Sequence, residues 1–254
     1  MPAGPRRPAQ HPQRRSARRG GLALCVVLAL PAPAAALAQG WQTAALEAAE
    51  YGAPTERYPH GVLGDDTEYG SLTLHYGSAR LTITLPQTRV FEDVAPRLAD
   101  VDGDGRREAV VVESDQSLGA RLAIYNGGGL LAATPFIGQR FRWLAPVAIA
   151  DLDGDGRIEL AYIDRPHLAK TLRVWRMENG TLREIATRTG LTNHRIGERD
   201  IAGGLRLCAD RPEMVLATAD WSRLVAVRFD GASAEVRDIG PQTGRASFAR
   251  AMGC

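Results

Sequence analysis

Apolar residues in this chain come in short runs rather than in long helical stripes. Ala109-Val110-Val111-Val112, Leu122-Ala123-Ile124-Tyr125 and Leu130-Leu131-Ala132-Ala133 each span four positions, and Asn126-Gly127-Gly128-Gly129 separates the last two. Short runs with β-branched residues, divided by Gly and Asn, predict strands joined by tight turns. A helix would need apolar positions recurring every 3.6 residues over a longer window. With the stretch before Asp100, this segment supplies four strands.

The segment is one copy of a pattern that recurs along the chain. An acidic residue opens a β-rich run at Glu68, Glu108, Glu159 and Glu213, with spacings of 40, 51 and 54. A second landmark follows each: Arg80-Leu81-Thr82-Ile83, Arg121-Leu122-Ala123-Ile124, Thr171-Leu172-Arg173-Val174 and Arg223-Leu224-Val225-Ala226. Their leucines lie 41, 50 and 52 residues apart, so the two landmarks drift in step. Units of about 40 to 50 residues with four strands each predict an all-β fold, a small propeller of four-stranded blades. Four units are legible. Ala246 to Ala251 reads as the first strand of another, which leaves four or five blades, and Thr43 to Tyr51 reads as a lead-in of helical composition.

The N-terminal segment changes both the charge and the compartment. Six arginines between Arg6 and Arg19 precede the apolar run Leu22 to Leu30, and Ala36-Leu37-Ala38 offers a cleavage site, which together read as a signal peptide over residues 1–38. The Sec or Tat route stays open, and Cys25, preceded by Leu24, makes a poor lipidation site. The expected organisation is signal peptide 1–38, lead-in 39–57 and repeat domain 58–254. Removing six arginines and no acids takes the formal charge from +2 to −4, which argues against a nucleic-acid partner. No later stretch reaches the roughly 20 apolar residues of a membrane span. The expected location is the periplasm or the exterior. Cys208 and Cys254 then remain, and in an oxidising compartment the simplest expectation is that they pair. The bridge would close a loop of roughly 47 residues, worth about 4 kcal/mol.

Two loops carry the best-defined chemistry. Asp100-Val101-Asp102-Gly103-Asp104-Gly105-Arg106-Arg107-Glu108 and Asp151-Leu152-Asp153-Gly154-Asp155-Gly156-Arg157-Ile158-Glu159 place carboxylates at positions 1, 3, 5 and 9. The carbonyls of Arg106 and Arg157 fall at position 7. Calcium takes six to eight oxygen ligands, and crowded carboxylates need a cation, so up to two Ca²⁺ sites are expected. An EF-hand is excluded, since position 12 holds Val111 or Tyr162 and a strand-like run follows. The other units have lost the pattern and should hold no calcium.

These loops resemble the FG-GAP/VCBS-type repeat of integrin-like and secreted bacterial proteins, whose mark is a D-x-D-x-D-G-x-x-[DE] loop between the first two strands of a blade. The resemblance spans roughly residues 58–254. It implies a calcium-stabilised propeller used for binding or adhesion.

In such a propeller the loops joining strands one to two and three to four share one face. Tyr58, His60, Arg140, Arg142, Trp143, Asn193, His194 and Arg195 fall before units, and Asp164, Arg165, His167 and Trp221 fall after second strands, so all are expected on the opposite face. His, Arg and Trp together suit a glycan, a peptide or an acidic group. Histidines could instead ligate zinc. No G-x-S-x-G, H-E-x-x-H or phosphate-binding glycine loop occurs. The expectation is a non-catalytic envelope binding or scaffold protein, with a hydrolase or lyase using the histidine face as the alternative.

Overall fold

The computed structural model describes residues 44–208 and 211–253, together with Met1 and Gly4. The expected signal peptide and Cys254 lie outside the described residues. Those described are all-β, apart from one short helix.

The first unit is a meander of β1 (Ala48–Thr55), β2 (Glu68–Tyr76) and β3 (Ala79–Thr84), antiparallel throughout. Residues 48–55 are therefore a strand paired with β2, where the composition suggests a helical stretch. The Ala- and Glu-rich composition misleads because β1 is fixed by tertiary contact. Tyr51 stacks on Tyr69 and Phe91 with ring centroids 5.4 and 5.5 Å apart. Among the described residues this unit has three strands of its own rather than four.

In the second unit, β4 (Arg89–Phe91) and β5 (Arg97–Ala99) are two pieces of one first strand, both paired with β6 (Glu108–Asp115). Then come β7 (Gly119–Asn126) and β8 (Gly129–Ala133). A single pair, Tyr69 with Phe91, joins β2 to β4 and fuses the first two units into an eight-stranded sheet. The third unit is a regular antiparallel sheet of β9 (Leu144–Ala150), β10 (Glu159–Asp164), β11 (Thr171–Glu178) and β12 (Thr181–Thr189). The fourth again splits its first strand, into β13 (Leu191–Thr192) and β14 (Gly204–Cys208), against β15 (Arg211–Thr218), followed by β16 (Arg223–Phe229) and β17 (Ala234–Pro241).

The cores lie between consecutive units, which explains why the second strands read as continuous apolar runs. Val110 and Val112 point into the core shared with the third unit, while Ala109 and Val111 point into the core shared with the first. Leu160 and Tyr162 likewise face the second unit, and Ala161 and Ile163 the fourth. A strand buried on both faces has no polar side to show. Each fully buried Val or Leu contributes about 1.5–3 kcal/mol before the entropy of ordering is subtracted.

The far side of the fourth unit is covered by α1 (Arg245–Met252). Residues 246–251 are thus helix, not the opening strand of a fifth unit. Phe248, Ala251 and Met252, spaced at i, i+3 and i+4, pack with Val215, Ala217 and Leu224, and Phe248 meets Trp221 edge-on at 6.2 Å.

Candidate metal centre

The four repeated glutamates occupy one structural position. Glu68, Glu108 and Glu159 open the second strand of their units and Glu213 is the third residue of its own; they pair with Thr55, Ala99, Ala150 and Arg206 on the first strand. All four side chains are buried: Glu68 and Glu108 are 2% exposed, Glu159 and Glu213 0%. Burying a carboxylate is costly unless something compensates its charge. Each unit has a different compensation.

In the second unit the glutamate faces a folded acidic loop, and what offsets its charge is one backbone N–H of that loop. Asp100 curls residues 100–107 around its own carboxylate, accepting from the Gly103 and Gly105 N–H groups at 2.9 Å each. Both glycines sit at left-handed φ, 77° and 85°, which is why glycine is required there. The Val101 N–H donates to Glu108 Oε2 at 2.8 Å. Asp100, Asp102 and Glu108 thereby each bring one oxygen within 4.8 Å of the others. Asp104 stays outside this group. Its carboxylate takes the Arg106 guanidinium at 2.5 Å, which holds Asp104 below the usual carboxylate range. No arginine or lysine pairs with Glu108 among the described residues, and burial pushes its pKa up to about 7.

The third unit repeats the loop nearly atom for atom. Asp151 accepts from Gly154 at 2.7 Å and from Gly156 at 2.9 Å, and the Leu152 N–H donates to Glu159 at 2.8 Å. Asp151, Asp153 and Glu159 form the equivalent trio, and Asp155 pairs with Arg157 at 2.7 Å. One side chain breaks the likeness. Arg176, directly across from Glu159 on β11, donates from Nε to Glu159 Oε1 at 2.5 Å and from Nη2 to Asp153 Oδ2 at 2.7 Å. Its Nη1 stands 3.1 Å from Asp155. Burial pushes Glu159 upward, and the Val101-equivalent amide of Leu152 together with Arg176 pulls it back.

The fourth unit has no Asp-rich loop, and three arginines surround Glu213: Arg206 at 2.7 Å, Arg228 at 2.8 Å and Arg237 at 2.8 Å. Burial alone would raise this carboxyl, but Arg237 and Arg206 outweigh it and hold it below its ordinary value. Glu68 in the first unit goes the other way. Burial, then the nearby Glu92 and Asp65, push it up to about 10, so it is protonated at neutral pH.

The residues expected on the opposite face divide into two groups. His60, Arg142, Trp143, Arg165 and His167, with Phe141 and Leu168, line one small pocket. His60 reaches it from the β1–β2 connection, inside the first unit rather than before it, and the buried Tyr58 packs behind against His60 and Phe141. Phe141 and Arg165 hold left-handed φ values of 55° and 45°, strained for side chains with a Cβ. Tyr58 Oη accepts the Phe141 N–H, and the Trp143 carbonyl accepts the Arg165 N–H. The remainder make contacts within the protein. Asn193 donates to the Pro146 carbonyl, Arg195 lies over Trp221 at 4.1 Å, Arg140 lies over Phe141 at 4.4 Å, and Asp164 is clamped by Arg165 and Arg173.

The histidines do not assemble a zinc site. His194 is fully buried and spends both ring nitrogens, donating from Nε2 to the Glu198 carbonyl and accepting at Nδ1 from His167 Nε2 at 3.1 Å. Burial, then His194, hold His167 at about 4, so it is neutral at pH 7. Among the described residues the acidic trios are the two groups that could hold a metal. The sequence reading missed Glu92, which is fully buried, accepts from Ser114 Oγ and lies 2.5 Å from His60 Nδ1. The only signal for it was an acid pair, Glu92-Asp93, directly after the apolar Val90-Phe91.

The fold and the acidic loops together define an all-β repeat protein with metal-competent connections at the head of its second strands. Residues 100–162, which hold both acidic loops, match the FG-GAP-like repeat, so the chain carries an FG-GAP-like repeat there. A comparison with curated proteins finds no match. Among solved structures, the chain is similar to the exotype rhamnogalacturonan lyase YesX at 17% identity and a TM-score of 0.38, covering 67% of this chain and 40% of that one. It is also similar to the Bacillus licheniformis rhamnogalacturonan lyase PL11 at 15% identity and a TM-score of 0.41, covering 72% of this chain and 44% of that one. The chain thus spans less than half the length of either. No helix among the described residues is long and apolar enough to cross a membrane.

Proposed function

We propose that the chain is an exported, calcium-stabilised propeller of four blades that acts as a non-catalytic binding or scaffold protein of the cell envelope. The observation that carries the calcium reading is the trio Asp100, Asp102 and Glu108, converged within 4.8 Å with no arginine or lysine on its glutamate. Three hard carboxylate oxygens suit a hard divalent ion rather than zinc, which favours nitrogen and sulfur. With calcium bound, the loop would link the first two strands of its unit. The test is thermal melting of the exported protein with chelator and then with calcium, magnesium or zinc. Calcium should give the largest rise in Tm; a larger rise with zinc, or none with any ion, would overturn the reading.

The binding surface is the pocket at the other end of the second and third units. Arg142 and Trp143 beside His167 and Leu168 combine a cation, an aromatic edge, a neutral acceptor and an exposed apolar side chain. Such a set favours an acidic glycan or a peptide carboxylate. A glycan and peptide array probed with wild type and Arg142→Ala should lose its hits in the variant.

One observation favours the enzymatic alternative. The buried Glu92 orients His60 through Nδ1, which fixes the tautomer and leaves the other ring nitrogen for a substrate, the arrangement of a general base. A hydrolase or lyase should lose turnover in His60→Ala while binding persists. The compartment and the bridge go together in this proposal. The bridge we assign joins Cys208 to Cys254, which lies outside the described residues. Mass mapping of the unreduced exported protein should recover a peptide joining the two.

A further inference from the structure

The third unit has the same acidic motif as the second but a different occupant, and we infer that Arg176 stands there in place of a metal ion. The inference rests on the calcium reading of the second unit. Strand register makes the comparison position by position. Glu159 faces Arg176 on the third strand of its unit, and in the fourth unit the pairing of Met214 with Val227 puts Glu213 opposite Arg228. In the second unit the pairing of Ala109 with Tyr125 puts Glu108 opposite Asn126, a neutral side chain that caps its own turn by accepting from Gly128. Two of these cross-strand positions therefore hold an arginine, and the one facing the open trio does not.

The guanidinium of Arg176 meets the loop with all three nitrogens. It touches Glu159 Oε1 and Asp153 Oδ2, one oxygen from each of two members of the trio, and Asp155 Oδ2 beside it, while Asp151 is left to the backbone N–H groups of its own loop. The side chain is 6% exposed and Asp153 8%, so neither is free to swing into solvent. The turn between β16 and β17 closes the remaining side. A Cβ on Gly231 would come within 3.0 Å of Asp153 Oδ2, which shows how closely that backbone covers the carboxylate. A divalent ion would have to share these oxygens with a buried positive charge, in a site where the like-charge repulsion is poorly screened.

The four units then form a series. A carboxyl kept neutral in the first is followed by an open metal trio in the second, one guanidinium in the third, and three guanidinia with no acidic loop in the fourth. Calcium binding is confined to the second unit, and the C-terminal half carries its cations in covalent form. Its consequence is local: chelation should loosen β5, β6 and the loop between them, and leave β9 to β17 as they are.

Titration of the exported, chelator-stripped protein with calcium by calorimetry tests this. One calcium per chain is expected, falling to none in Glu108→Gln and remaining one in Glu159→Gln. Arg176→Met should bind a second ion; if that variant does not fold, the double variant Asp153→Asn, Glu159→Gln replaces it and should still bind one. Two ions in wild type, dropping to one in Glu159→Gln, would overturn the inference and leave the calcium reading intact. No binding by wild type would remove the calcium reading itself, and this inference with it.

Discussion

The loops 100–108 and 151–159 share nine-residue spacing, glycine positions and internal hydrogen bonds, yet they face different neighbours. One looks across its sheet at Asn126, the other at Arg176. The difference teaches that the motif supplies only half of an ion site. The other half is the absence of a competing cation on the adjacent strand, and that strand lies more than ten residues away in sequence.

The comparison breaks most visibly at Arg176. Replacing it by Met leaves Glu159 and Asp153 buried without their charge partner, and severing one side of a buried ion pair costs about 3–5 kcal/mol. Chemical denaturation in chelator should show that loss in Arg176→Met, and added calcium should recover more stability there than in wild type. A loss below about 1 kcal/mol would mean that the pair is not holding the loop.

Next in size is the response of the second loop. A ligand that binds only the native state adds about 2.7 kcal/mol at a hundredfold excess over Kd. That increment should vanish in Glu108→Gln, whose amide can still accept from Val101. It should also vanish in Asn126→Arg, which transplants the third unit's cation into the second. A full calcium response in Asn126→Arg would show that the cross-strand residue does not decide occupancy.

Glu108 also gives a pH signature in the calcium-free protein. Its folded pKa, near 7, lies above the unfolded value near 4.5, so the native state holds the proton more tightly. Stability from this group is complete below about pH 4.5 and is lost as pH rises through 7, with a slope of at most about 1.4 kcal/mol per pH unit. Glu68 adds a slope of the same sign, so the quantity to measure is wild type minus Glu108→Gln between pH 4.5 and 7. Saturating calcium should flatten the pH dependence of that difference, because the ion holds the carboxylate ionised.

The smallest expected effect is at the exposed pair Asp155–Arg157, half in solvent, where Arg157→Ala should leave the melting temperature almost unmoved. A large shift would indicate that Arg157, and not Arg176, supplies the loop's cation.

Much of this was legible in the sequence, and the failures have physical causes. The repeated glutamates and the two loops could be read because turn chemistry is local: Asp, Gly and their spacing fix the backbone within nine residues. The strand β1 was not legible, because Ala and Glu carry helical propensity while Tyr51 is held between Tyr69 and Phe91 by contacts distant in sequence. Over six residues, Ala246 to Ala251 cannot separate a period of 2 from one of 3.6. Phe248, Ala251 and Met252 reveal the helical spacing only once the surface they cover is known. Arg176 lay in plain view inside Val174-Trp175-Arg176-Met177. Its role depended on register between β10 and β11, which a β-bulge at Val174/Trp175 on the other side of β11 makes hard to count.

The most direct test of the central claim is a crystal structure of the calcium-soaked protein with anomalous difference maps at both loops. The account predicts one peak, among Asp100, Asp102 and Glu108, with the Arg176 guanidinium still lodged between Asp153 and Glu159. A second peak of equal height among Asp151, Asp153 and Glu159, with Arg176 displaced, would contradict it.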